Sequence, residues 1–445
     1  IGHCRFWLEA IGPELRQYIV TDNNEERPFS RDQRRWVYAS AKKENNYFGF
    51  GTDEKIELEP NFIIIKHATF APDTNGQESD GPRRDFHPLN AKKMGDNYPF
   101  PCAKVLGSYR GRTKAFRPAS GINISGMSFG SLSAAAVEAL NRGAALAGCL
   151  HNTGEGGISP FHDHGAGLIF QLGTGYYGAR DENGRFSMEM LKERVDRYNV
   201  RAIEIKLSQG AKPGRGGVLP AAKVTPEISK IRGIPVGKDC LSPASHREFS
   251  NADELLDFVE RIAQETGLPV GIKSAVGDLS FWEELAELMK DGERGVDYIA
   301  IDGGEGGTGA APLVFSDHVS LPFKIGFSRV YSIMARHDLH EKIVFIGSGK
   351  LGFPQSALFA FAMGCDMVAV AREAMLSIGC IQAQNCQTGH CPAGVATQNK
   401  WLMRGLDPTH KASRLANYVI TLRKEIMWLV RACGVAHPGM ITMEN

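Results

Sequence analysis

The sequence predicts an α/β fold: a (β/α)8 barrel (TIM barrel) with an N-terminal extension and a C-terminal cysteine loop plus helical tail. Two observations predict it. From about Phe116, short β-branched runs alternate with segments of helical spacing, the pattern of βα units in a parallel sheet. Eight such runs occur, the number that closes a barrel. Nearly every run also ends in a polar or glycine-rich stretch. A barrel collects those loops on one face, whereas a doubly wound open sheet, the alternative, scatters them along an edge.

Taken in order, residues 1–115 read as a mixed extension. Ser30-Arg31-Asp32-Gln33 has the form of a capping box and opens a helix through about Lys43. Phe62-Ile63-Ile64-Ile65, bounded by Pro60-Asn61, predicts a short strand, and 71–81 a polar loop. The barrel is expected over 116–379. Its strands are Ile122–Gly126, Gly148–Asn152, Leu168–Leu172, Ala202–Leu207, Leu268–Lys273, Asp297–Asp302, Ile343–Gly347 and Met367–Ala371. Helical segments between them include Ser133–Leu146, Met188–Tyr198, Ala252–Thr266, Trp282–Leu288 and Pro354–Met363. Residues 380–445 hold a cysteine cluster and an amphipathic helix, Ala412 to Arg431, with apolar spacings of three and four.

Composition narrows the function. Lys+Arg number 51 and Asp+Glu 50, so the chain lacks the positive field of a dedicated nucleic-acid binder. Hydrophobic content of 42% excludes wholesale disorder. The 50 glycines fall in tight clusters, as where backbone approaches a ligand. The nine cysteines are an odd number in a long chain, which argues against a disulfide framework and for a reducing, cytoplasmic setting. No apolar run suffices to span a bilayer; the nearest, Ser356 to Val370, is broken by Gly364-Cys365-Asp366. The chain begins at Ile1, so an upstream anchor to the cytosolic face of a membrane stays open.

Three constellations carry chemistry. The first is Cys380-x5-Cys386-x4-Cys391-Pro392, which resembles an iron–sulfur ligand run; three free thiols on a loop is the bland alternative. A four-cysteine set would need Cys365 or Cys433, a three-iron cluster only these three, and His390 is a bystander. The second is the glycine loops at consecutive strand ends: Asp302 to Gly309, Gly347-Ser348-Gly349-Lys350, and Ala371-Arg372. In barrels such loops often hold a phosphate, glycines admitting the anion to backbone N–H groups and Arg372 adding a charge; simple turns are the alternative. The third is Asn152 to Gly157 with Lys206 to Gly214, joined by Lys273. Lysines at barrel strand ends must be paired or face a ligand, so either a flavin or substrate carboxylate satisfies them, or internal pairs such as Glu155 with Lys206 do. His151, His162 and His164 lack a matching carboxylate set and read as ordinary polar histidines.

Five motifs occur in order: Ser125-Gly126-Met127-Ser128-Phe129-Gly130-Ser131, Asn152 to Gly157, Gln209 to Gly214, Gly306-Gly307-Thr308-Gly309-Ala310, and the Cys380/Cys386/Cys391 run. Together they closely resemble the FMN-binding synthase domain of glutamate synthase, most of all its short stand-alone members, over about Phe116 to Gln398. The resemblance implies FMN at the barrel mouth and a 3Fe–4S cluster beside it, ligated by Cys380, Cys386 and Cys391. It places Ser125, Gly126, Met127 and Ser128 along the flavin, Gln171 and Lys206 on its ring, and Lys273 near its N1 edge. The phosphate falls to Gly306, Gly307, Thr308, Gly347, Ser348, Gly349 and Arg372. Glu155, Lys206, Lys212 and Arg232 face the substrate, Lys212 and Arg232 for its carboxylates and Glu155 for proton handling. The implied reaction is hydride transfer from FMN to 2-iminoglutarate, formed from 2-oxoglutarate and ammonia, with electrons entering through the cluster.

The chain departs from the family pattern in four places. It has no room for a glutaminase domain, so ammonia is free or comes from a separate glutaminase. It lacks the C-terminal β-helical domain. Where the family reads Gly-Glu-Gly-Gly-Gln this chain has Gly214-Arg215-Gly216-Gly217-Val218, and Tyr176 stands in place of an Arg. These changes leave two alternatives: the same cofactors acting on another amine, such as methylamine, or another 2-oxo acid; and a non-catalytic electron-transfer subunit. No Rossmann fingerprint follows a strand, so the electron donor is expected to be a ferredoxin or a reductase subunit. Oligomeric state is left open.

Overall fold

The computed structural model describes residues 27–43, 63–69 and 98–445. Strands β1 (Ile122–Ile124), β2 (His151–Asn152), β3 (Leu168–Leu172) and β4 (Val200–Lys206) form one side of a closed barrel. A two-stranded antiparallel ribbon follows, β5 (Val218–Leu219) with β6 (Cys240–Leu241). Strands β7 (Val270–Ser274), β8 (Tyr298–Asp302), β9 (Val344–Ser348) and β10 (Met367–Val370) complete the barrel, in the circular order β1-β10-β9-β8-β7-β4-β3-β2. All eight pairings are parallel. Each barrel strand falls within or overlaps one of the eight predicted runs.

Strands β3, β7, β8 and β9 are buried at every position, as parallel strands must be when helices cover one side and a core fills the other. Inside the barrel, Ile169, Ala202, Tyr298, Ala300, Val344, Ile346 and Met367 form an apolar floor, plugged from below by Cys102 and Leu106 of the extension. Tyr298 fits because its neighbour is Gly271: a Cβ there would lie 2.4 Å from the ring. The Tyr298 hydroxyl donates to the Ile203 carbonyl at 2.9 Å. Also on the bottom face, Arg112 binds Asp297 and Glu260.

Helix α1 (Arg31–Ala41) precedes the barrel. The barrel's outer helices are α2 (Ala134–Ala147), α3 (Met188–Arg197), α4 (Pro226–Arg232), α5 (Ala252–Thr266), α6 (Ser280–Met289), α7 (Leu313–His318), α8 (Phe323–Arg336), α9 (Pro354–Ala362) and α10 (Arg372–Ser377). The tail adds α11 (Lys400–Met403) and α12 (Pro408–Ala432). Helix α12 lies against α2 at close range: a Cβ on Gly143 would stand 2.7 Å from that of Leu415. The buried Arg423 guanidinium donates to the Ala147 carbonyl at the α2 C-terminus. The reciprocal capping box of α1 is present, Ser30 and Gln33 each accepting from the other's backbone N–H.

One sequence expectation fails. Ile63–Ile65 is not a strand, and Phe62 lies outside the described residues, as do the 71–81 loop and Cys4. The segment instead runs along the tail, Lys66 donating to the Asn445 carbonyl and Ala68 to that of Ala432. An apolar run becomes a strand only beside a partner strand, and these acceptors are helix-end and terminal carbonyls; Ile64 is left exposed. Among the described residues, no helix is long and apolar enough to cross a membrane.

Candidate functional site

The C-terminal mouth of the barrel is polar where its floor is apolar. Strand β4 shows why: with side chains alternating, Ala202, Glu204 and Lys206 share the inward face, and Ala202 sits in the apolar floor. The register then pairs Glu204 with Gln171 and Lys206 with Lys273. Glu204 Oε1 accepts from Gln171 Nε2 (2.6 Å) and Asn152 Nδ2 (2.8 Å). Asn152 Oδ1 in turn accepts from the Gly154 N–H, tying the following loop to the strand end. Lys273 Nζ lies 3.6 Å from Asp302, whose other contact is the Gly210 N–H. Burial alone would lower the Lys273 pKa, but Asp302 and Glu204 outweigh it and hold the ammonium charged. A small cavity lies in this layer, lined by Ser125, Asn152, Glu204, Lys273 and Ser348.

The loop after β1 crosses this layer. Gly126 passes so close that a Cβ would lie 3.2 Å from Gly154 Cα and 3.4 Å from the Gln171 amide. The Met127 carbonyl accepts from His162 Nε2 at 2.9 Å. His162 Nδ1 accepts from the Ser159 N–H, so the ring proton sits on Nε2. Burial brings the His162 pKa down to about 4, and His151, also buried, is lowered too. Both are neutral, hydrogen-bonded side chains: His151 Nδ1 lies 3.1 Å from the Asn141 amide.

Above this layer, Lys206 donates to Glu155 (3.0 Å) and Gln209 (3.0 Å). This is the internal pair considered from sequence, and it does not exhaust the charge present. The Glu155 carboxylate is wedged between Gly173 and Gly217, where a Cβ would come within 2.7 Å. Burial would raise its pKa, but Lys206, Lys212 and Arg232 hold it below the usual carboxylate range. Lys212 is buried and donates to the Gly216 carbonyl; burial and then Lys206 lower its pKa. Arg232, at the end of α4, donates to the Phe129 carbonyl (3.0 Å) and lies 5.3 Å over the Tyr177 ring. Its Nε is buried with no partner. Three cations therefore surround a single carboxylate.

The family departures resolve differently. The Tyr176 hydroxyl accepts from the Arg247 and Glu248 N–H groups, so its own proton goes to His246 Nδ1 (3.0 Å). His246 Nε2 then donates to the Lys206 carbonyl (2.9 Å). Tyr176 is thus a latch holding the stretch around His246 against the end of β4. Arg215 stacks over Phe315 at 5.4 Å, and Val218 sits opposite Leu241 on the exposed ribbon.

The glycine loops converge. Gly303 N–H donates to the Ser348 carbonyl (2.8 Å), and Gly349 adopts φ 136° beside Gly303. Arg372 donates to the Glu305 main-chain carbonyl, while the Glu305 carboxylate accepts from the Phe323 N–H. Gly307 faces Arg372: a Cβ would lie 2.7 Å from its guanidinium. Gly306 and Thr308 belong to the same turn, Gly306 N–H donating to the Gly303 carbonyl and Thr308 Oγ1 accepting from Ala310. An anion fits here by donor chemistry and by the missing side chains. Beside it, Gln171, Lys206 and Lys273 bring nitrogen donors of the kind a flavin ring accepts to neighbouring strand ends.

Cys380 and Cys386 are half-buried and Cys391 buried. Burial, then Cys391 and Cys386, push Cys380 up to about 12; burial and Cys391 likewise raise Cys386. The thiols thus share one neighbourhood. Among the described residues, no three His, Cys, Asp or Glu side chains converge tightly enough for a single metal ion. Three thiols on one loop are the donor type that an iron–sulfur cluster takes. A Cβ on Gly309 would lie 2.7 Å from Cys386 Cβ, so the cysteine loop presses on the barrel loop. Sequence reasoning missed Glu204, His246, Tyr177 and Cys240, the last two packed on Arg232. Only Glu204 carried a signal, a charge inside the apolar alternation of β4.

The family model for the conserved region in glutamate synthase matches residues 104–436. The glutamate synthase large subunit-like protein YerD of Bacillus subtilis is 37% identical over all of this chain and 87% of its own length. The archaeal glutamate synthase [NADPH] of Methanocaldococcus jannaschii is 36% identical over 71% of this chain, which spans 59% of that protein. Among solved structures, a mandelate oxidase with (S)-4-hydroxymandelic acid aligns over 73% of this chain and 78% of its own at 18% identity, with a TM-score of 0.43. By the family match and the full-length likeness to the Bacillus subtilis protein, the chain belongs to the glutamate synthase family.

Proposed function

We propose that this protein is an FMN- and iron–sulfur-dependent oxidoreductase of glutamate synthase type, reducing the imine formed from 2-oxoglutarate and ammonia. The observation that carries the reading is the cluster of Lys206, Lys212 and Arg232 around Glu155 at the barrel mouth. Its surplus of positive charge suits a dicarboxylate, and Arg232 retains an unpartnered buried Nε. When bound, FMN supplies hydride to the imine carbon and a cluster at Cys380, Cys386 and Cys391 supplies electrons. Lys212 and Arg232 hold the two carboxylates. Lys206 positions Glu155, whose lowered pKa keeps it a carboxylate that pairs with the incoming ammonium and accepts hydrogen bonds from the nitrogen as the imine forms. Gln171 is aimed by Glu204, and Ser125, Gly126, Met127 and Ser128 line the flavin under the hold of His162 on the Met127 carbonyl. Lys273 would supply a fixed positive charge near the N1 edge of the ring. A ferredoxin or reductase subunit is the expected electron donor.

Anaerobically purified, photoreduced protein given ammonium and 2-oxoglutarate is expected to yield about one glutamate per flavin in a single turnover. No glutamate, with flavin bound, would reject the reading. Turnover only with methylamine would transfer it to a different amine, the alternative favoured by Val218 on the exposed ribbon where the family has a Gln.

A pH signature follows from Lys212. Its lowered pKa means it loses its proton at lower pH than a free lysine does. Substrate holding needs the ammonium, so kcat/KM for 2-oxoglutarate is expected to fall on the alkaline side, by about tenfold per pH unit above that pKa. Lys212→Met should be slow throughout and lack this limb. An alkaline limb unchanged in the variant would remove Lys212 from substrate binding.

A further inference from the structure

The anion site at Gly307, Gly349 and Arg372 has a wall that the barrel does not supply. Phe29, from the extension, is only 1% exposed. The Arg372 guanidinium lies 5.0 Å and the Lys350 ammonium 5.6 Å from the centroid of this one ring. Two cations thus converge, and the nearby Glu305 carboxylate is engaged by the Phe323 N–H. Glu373 and Glu305 also act on both cations; the aromatic face adds partial negative charge without taking up a further hydrogen-bond donor of either.

Phe29 is itself held. Its N–H donates to Gln382 Oε1 and its carbonyl accepts from Gln382 Nε2, both at 3.1 Å. The ring also packs on Phe353, 6.0 Å away, which in turn meets Trp36 of α1. Tyr38, on the same helix, donates to the Cys380 carbonyl at 2.8 Å. One segment, 27–41, therefore fastens the cysteine loop and sets the ring under Arg372.

We propose that Phe29 is a positioning residue of the anion site, its ring holding Arg372 and Lys350 together for the phosphate of the bound flavin. The inference rests on the reading of that site as the FMN phosphate site, and the experiment separates the two. FMN and riboflavin differ only in the phosphate, so the ratio of their dissociation constants reads this site alone. It is measured by fluorescence titration of the full chain freed of bound flavin. Wild type should prefer FMN. Phe29→Leu should weaken FMN binding by about tenfold, the scale of a desolvated cation–π contact, and leave riboflavin binding unchanged. Phe29→Trp, which keeps an aromatic face, should retain the preference. Phe29→Met replaces the leucine variant if that one does not fold. Arg372→Gln should also abolish the preference. If Arg372→Gln abolishes it and Phe29→Leu does not, or weakens both ligands equally, Phe29 is packing only and the inference is overturned. If Arg372→Gln leaves the preference intact, the phosphate site is misassigned and the inference falls with it.

Discussion

Arg232→Ala is expected to lower kcat/KM for 2-oxoglutarate by about 10²–10³-fold, with flavin content unchanged. Truncating one member of a buried charge-assisted pair costs about 2–5 kcal/mol, and each ~1.4 kcal/mol is tenfold. The residue suits the role for three reasons. It is buried, so its interaction with a carboxylate is weakly screened. It is braced by the Phe129 carbonyl and the Tyr177 ring, so little entropy is lost when a ligand arrives. Its Nε is buried without a partner, a donor still to be satisfied. Arg232→Lys should recover only part of the loss, because a point charge cannot reproduce the planar fork. Steady-state kinetics with a flavin absorbance spectrum on the same sample checks this. Normal kinetics in Arg232→Ala would place the substrate elsewhere on the barrel mouth.

Legibility followed the range of the interactions. The barrel strands were readable because they fall in short β-branched runs, nearly all of which end in a polar or glycine-rich stretch. Their ends were less so: the run from Gly148 starts as the left-handed cap of α2, at φ 67°, and only His151–Asn152 pair as strand. The tail helix begins at Pro408, capped by Asp407, before the apolar spacing that signals it. The candidate site was legible where chemistry is local, as in the glycine loops and the cysteine run. It was not legible where a residue works through a distant partner. Nothing in the spacing of Tyr176 reports that its hydroxyl holds the His246 stretch, or in that of Phe29 that Arg372 lies over its ring. Tyr176 shows the hazard of carrying roles over by position, since its side chain latches a loop.

The largest effect on stability is expected at the opposite end of the barrel, in Arg112→Met. This guanidinium binds Asp297 through Nε (3.0 and 3.2 Å) and Glu260 through both terminal nitrogens (2.6 and 2.8 Å). It thereby joins the extension to α5 and to the turn that starts β8. The Asp297 side chain is 1% exposed, and besides Arg112 it accepts from the Val270 N–H at 2.8 Å. Removing the arginine leaves a buried carboxylate with one hydrogen bond, a change that costs about 3–5 kcal/mol. The pH dependence identifies the cause. Burial already raises the Asp297 pKa, with Arg112 opposing it, so the variant's Asp297 pKa rises further. A carboxyl with a raised folded-state pKa binds its proton on folding. Its penalty is therefore complete above that pKa and disappears as pH falls toward the unfolded value. The gap between wild type and Arg112→Met in urea unfolding should be widest at neutral pH and narrow under mild acid. The double variant Arg112→Met/Asp297→Asn should recover part of the loss at neutral pH, because the fully buried charge is gone while the less buried Glu260 keeps the Gly295 N–H. A gap independent of pH, with no recovery in the double variant, would make the Arg112 contribution one of packing by its aliphatic stem.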